Sequence, residues 1–119
     1  TGGAGRRWHL LRLRPLSEYL AARALQHDGF EVLLPCVRSV TPRPGHADEP
    51  LFPGYLFVLY DARSHDWARP LRLPGVLEPV EQPVGLEPAG GSAAEFAQHV
   101  RAEVAKWGKV VRQAGIKAN

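Results

Sequence analysis

The sequence contains no methionine and one cysteine, Cys36. A single cysteine can neither close a disulfide within the chain nor build a zinc site, so neither staple is available to the fold. The five histidines, at 9, 27, 46, 65 and 99, never fall at a metal-ligand interval with one another or with Cys36, so no metal and no cofactor is expected. Every apolar run is far shorter than the ~20 residues of a membrane-spanning helix. Arg6 and Arg7 lead into further arginines rather than into the apolar core of a signal peptide. A soluble, cytoplasmic protein with no membrane partner is expected. The lack of methionine marks Thr1-Gly2-Gly3 as a start other than the natural one, so residues 1–5 are read as a tag or cleavage remnant. A Gly-rich phosphate loop, a nucleophile elbow and a carboxylate pair are missing too. His65-Asp66 is the nearest approach to acid–base chemistry, and no third group accompanies it. These gaps point to a binding module rather than an enzyme.

What is present is ordinary globular composition: 119 residues, 45% hydrophobic and 23% charged, enough to close one core and too apolar for wholesale disorder. The net charge of +3 conceals a layout. Residues 1–46 carry seven arginines against three acids, residues 47–84 three against six, and residues 85–119 five basic groups against three acids. An arginine-rich front beside an acidic middle gives a two-sided surface, one side able to face phosphate.

Residues 8–14 alternate as a strand, with His9, Leu11 and Leu13 on one face and Trp8, Leu10, Arg12 and Arg14 on the other. Pro15 ends it, Ser17 is placed to cap a helix over 17–28, and Gly29 stops that helix. Leu16, Leu20 and Ala24, with Ala21 and Leu25, form its apolar stripe. A strand over 31–41 follows, disturbed by Pro35, and then a turn-rich loop over 42–46. After the Pro53-Gly54 bend, Tyr55–Tyr60 reads as a central strand with Tyr55, Phe57 and Leu59 on one face and Leu56, Val58 and Tyr60 on the other. Ser64 is placed to cap a short helix through Trp67 and Leu71, and a last strand spans 76–81. The order βαββαβ predicts an α+β, ferredoxin-like antiparallel sheet with helices on one face. Such a sheet leaves its second face for a partner, which makes the aromatics of the central strand a candidate binding patch.

Trp8-His9-Leu10-Leu11, Gly29-Phe30-Glu31-Val32-Leu33-Leu34-Pro35, Glu49-Pro50-Leu51-Phe52-Pro53-Gly54-Tyr55-Leu56-Phe57-Val58, Trp67 and Pro74-Gly75-Val76 closely resemble the N-terminal domain of NusG-type transcription elongation factors. The resemblance runs over residues 6–82, and the EPLFPGYLFV run is most similar to the specialised RfaH-like antiterminator branch. It implies a module that binds the clamp helices of bacterial RNA polymerase through a hydrophobic patch, here Phe52, Tyr55 and Phe57 with Pro53 supporting the bend. It also implies that Arg14, with its neighbours Arg12 and Arg23, approaches the non-template DNA of the transcription bubble. Three departures stand out. Leu73-Pro74 replaces a basic residue before the glycine of the last turn, Ser64, His65 and Asp66 replace a threonine-rich stretch, and no KOW module follows.

After a linker over 83–92, residues 93–119 read as a helical extension, with one helix over 93–112 carrying Phe96, Val100, Val104, Trp107 and Val111 at helical spacing and Gly108 as a weak point. This tail resembles the last helix of periplasmic tricarboxylate-type solute-binding receptors of the Bug family, without that family's ligand pocket. Its apolar stripe either docks on the sheet and occludes the aromatic patch, or pairs with a second copy. Two other readings compete with the polymerase module: a ferredoxin-like nucleic-acid binder acting without polymerase, and a fragment of a carboxylate-binding receptor.

Overall fold

The computed structural model describes residues 6–43, 46–61, 67–83 and 85–117, with the backbone alone for 38–43, 46–48 and 116–117. Its elements run β1 (Arg7–Leu13), α1 (Glu18–His27), β2 (Glu31–Leu33), β3 (Cys36–Arg43), β4 (His46–Pro50), β5 (Tyr55–Tyr60), α2 (Ala68–Leu71), β6 (Val76–Pro79), α3 (Ala93–Ala102) and α4 (Val104–Lys117). Four strands form an antiparallel sheet in the order β2-β5-β1-β6, and β3 and β4 pair as a separate ribbon. This is the expected α+β architecture. The two most apolar strands, β1 and β5, occupy the middle, in a register that sets Leu10 opposite Phe57 and Arg12 opposite Tyr55.

The strand expected over 31–41 is divided at Leu34-Pro35. Proline has no N–H to give a ladder, so β2 stops and β3 starts in another sheet. Part of the expected loop at 42–46 is strand as well, with Arg43 opposite His46. The cap expected at Ser64 and the pair His65-Asp66 lie outside the described residues. Pro70 is the third residue of α2, in the first turn, where its missing N–H costs no helical bond.

The period-2 reading of β1 and β5 holds on both faces. Leu11, Leu13, Leu56, Val58, Tyr60 and Val76 meet Ala21, Ala22 and Leu25 of α1. The apolar stripe of α1 is rotated from the expected one: its buried side is Glu18, Ala21, Ala22 and Leu25, while Leu16 is 85% and Leu20 55% exposed. Small side chains let the helix lie close to the sheet. A Cβ built on Gly75, which has φ +85°, would stand 3.0 Å from Ser17 Cβ and 3.2 Å from Ala21 Cβ, so the loop before β6 fixes which side of α1 faces inward. Ser17 occupies the N-cap position without a side-chain capping bond.

The other face carries Trp8, Leu10, Tyr55 and Phe57, and it packs against Phe96, Val100, Trp107 and Val110 of the tail. The tail is two helices rather than one. Ser92 and Glu95 form a reciprocal capping box that opens α3. The break falls at Glu103, whose N–H bonds back to the carbonyls of His99 and Val100, and Gly108 lies inside α4. Beyond the break Trp107 and Val110 are buried against the sheet, and Val104, expected in the stripe, is 37% exposed.

Candidate functional site: an aromatic face under a helical cover

Phe52, Pro53, Tyr55 and Phe57 come together as the sequence led one to expect. Phe52 and Pro53 lie in the turn leading into β5, whose Gly54 takes φ +87°, and Tyr55 N–H donates to Phe52 O at 3.0 Å. Tyr55 and Phe57 are then two residues apart on one side of the strand. Phe57 is the hub. Its ring meets Phe96 edge-on at 4.9 Å and Trp107 edge-on at 5.0 Å, while Trp8 stacks flat on Phe96 at 5.5 Å. Ring pairs in these geometries add about 0.5–1.5 kcal/mol each beyond the area they bury. Trp8 Nε1 donates to Gly91 O at 3.0 Å, which ties the segment before α3 to the first strand.

The open aromatic patch anticipated from a one-sided sheet is therefore a buried one. α3 and α4 lie over it, and the tail's apolar stripe is used within the molecule. Tyr55 Oη donates to Val111 O of α4 at 3.2 Å. Burial pushes the Tyr55 phenol above its ordinary range, with Arg12 pulling it back down, so at neutral pH it stays a donor. The cover is incomplete at one end: a cleft of about 410 Å³ separates Phe52 and Pro53 from Val104, Gly108 and Arg112.

The three arginines are not gathered in the same way. Arg12 shares the aromatic face, opposite Tyr55, and its Nε lies 3.1 Å from Glu78 Oε1. Arg14 is exposed beyond the end of β1, where its backbone N–H donates to Gly75 O at 2.8 Å. Arg23 is exposed on α1, which packs on the opposite face of the sheet from Arg12. Among the described residues no group of three or more His, Cys, Asp or Glu side chains is placed to hold a metal ion. Cys36 is half-buried, its thiol 3.4 Å from Leu34 O.

One residue of this site, Glu18 in the first turn of α1, was not singled out in the sequence. Glu18 is 5% exposed, and its Oε2 accepts from Gly54 N–H at 2.7 Å. The available signal was the Pro53-Gly54 turn, because a bend that leaves the ladder leaves a backbone N–H needing an acceptor.

No helix among the described residues is long and apolar enough to cross a membrane. No curated protein matches the chain. A family model described as "Transcription termination factor nusG" matches residues 6–98, from the start of β1 into the middle of α3. That span holds the whole four-stranded sheet and the aromatic face, and it ends before α4. The chain thus belongs to the NusG family, a family of transcription termination and elongation factors that act with RNA polymerase and not a family of enzymes.

Proposed function

We propose that this domain binds the clamp helices of bacterial RNA polymerase through Phe52, Tyr55 and Phe57 and favours uninterrupted elongation, in the manner of the specialised RfaH-like branch. The observation that carries the reading is the division of the molecule at the aromatic face. Phe52, Tyr55 and Phe57 stand together on one face inside the family-matched span, and of the two helices that close over that face the second, α4, lies outside it. A helix-binding face occupied by a helix of the same chain has the shape and apolarity for a helical partner. Partner and α4 then use the same surface, so binding exchanges one for the other. Arg14 and Arg23 are free of the described ion pairs and available to phosphate, whereas Arg12 contributes only once released from Glu78. The tail's likeness to solute-binding receptors brings no ligand-binding residue into this reading.

The test is affinity of the full chain for a clamp-helix fragment. Wild type binds, Trp107→Ala binds more tightly because α4 is loosened, and Tyr55→Ala binds more weakly. Absence of binding by both the wild type and Trp107→Ala overturns the proposal.

A further inference from the structure

We infer that Glu18 is the positioning residue of this face: its carboxylate, reaching out of the first turn of α1, fixes the direction of the Phe52–Tyr55 turn and so the placement of the aromatics that meet a partner. The inference rests on the polymerase reading for what the face binds, and on the geometry below for how the face is held.

Glu18 is the one buried charged residue among the described side chains, and none of the described lysine or arginine side chains forms an ion pair with it. Burying a carboxylate without a cation is unfavourable, and a side chain needed only to fill space there would be apolar. The carboxylate is accounted for by what it accepts. Gly54 is gripped from two sides: its N–H donates to Glu18 Oε2 at 2.7 Å, and its carbonyl accepts from Leu13 N–H of β1, also at 2.7 Å. The residue before it is proline, which has no N–H to offer, and Gly54 itself takes φ +87°, a conformation with many nearby alternatives for glycine. Without the bond from α1, Gly54 is held by β1 alone. The contact also spans 36 residues of chain, linking a helix on the aliphatic face of the sheet to the turn that feeds the aromatic one. Ser17 leaves the start of α1 without a side-chain cap, and the adjacent Glu18 is spent on the turn.

The experiment compares Glu18→Met and Glu18→Gln with wild type in the full chain. Methionine keeps the volume and removes the acceptor, and glutamine keeps a neutral acceptor oxygen. For Glu18→Met, urea stability is expected to be unchanged or raised, since an unpaired buried charge is gone. Hydrogen exchange at the Gly54 amide, followed by NMR, accelerates at least about tenfold, and affinity for core polymerase falls by a similar factor. Glu18→Gln recovers most of both. A merely structural role predicts the reverse pattern, with stability lost and binding lost in proportion to it. Unchanged Gly54 exchange in Glu18→Met overturns the inference, as does faster exchange with binding equal to or tighter than wild type. A loosened α4 would strengthen binding, so the predicted weakening has the opposite sign. If wild type itself fails to bind polymerase, that failure falls on the polymerase reading, and Gly54 exchange still decides whether Glu18 holds the turn.

Discussion

The two faces of the sheet are closed by helices of different character. On the aliphatic face α1 lies close, through Ala21, Ala22 and Leu25, and is pinned by Gly75 against Ser17 and Ala21. That helix belongs to the family-matched span. On the aromatic face the closure rests on large rings, Trp8, Phe57, Phe96 and Trp107, and half of it is supplied by α4, beyond the matched span. Close packing of small side chains leaves no other way to cover the first face. Aromatic rings carry most of their gain in the area they bury, and stacked and edge-on pairs are both favourable. The first face is built to stay shut, and under the proposed function the second is closed by different helices in turn.

The comparison can be broken most forcefully at Trp107. Trp107→Ala removes a fully buried indole and its edge-on contact with Phe57, and we expect a loss of about 3–5 kcal/mol in urea unfolding. Amide protection should fall across α4 and persist across α1. The matching change on the other face, Leu25→Ala, should lower protection everywhere, and equal local loss in α4 and α1 from Trp107→Ala would erase the distinction. A finer probe is Tyr55→Phe, which deletes only the hydroxyl that reaches Val111. It should cost about 0.5–1.5 kcal/mol and quicken exchange in α4 alone; an unchanged α4 would show that this bond does not hold the cover.

The smallest effect belongs to the aliphatic face. His9 meets Trp67 edge-on at 5.1 Å, and its Nε2 is buried with no partner among the described residues. Burial holds the imidazole below its ordinary 6.5, against the opposing pull of a backbone hydrogen bond at Tyr60. The folded state therefore keeps His9 neutral while the unfolded chain takes up a proton near 6.5. Its contribution is complete above that pH, declines as pH falls toward the lowered folded value, and is constant below it. Urea midpoints taken between about pH 7.5 and about pH 5.5 should show this slope in wild type and lose it in His9→Leu. A slope that survives the substitution belongs to another group.

Much of this was legible in the chain. Alternation in Trp8–Leu13 and Tyr55–Tyr60 assigned both faces of both central strands, because period-2 patterning is a local property of backbone geometry. The residues of the aromatic face were legible for the same reason. The rotation of α1 was not, since Leu16 and Leu20 are better core residues than Ala21 and Ala22 by every local measure, and only the close approach of Gly75 decides the matter. Nor was the break at Glu103, where no proline or glycine marks the end of a helix and the conspicuous Gly108 sits unbroken inside α4. The role of Glu18 depends on a contact 36 residues away, which no window along the chain contains.

The break at Glu103 has a kinetic consequence. α3 is anchored by its capping box and by the stack of Phe96 on Trp8, so α4 can depart while α3 stays. Under the proposed function, departure of α4 precedes productive contact, and its rate does not depend on how much partner is present. Association would then rise with partner concentration and level off at the opening rate of a single helix. A plateau of that kind would make one interhelical junction, rather than the strength of the final complex, the element that sets how soon this factor joins its partner.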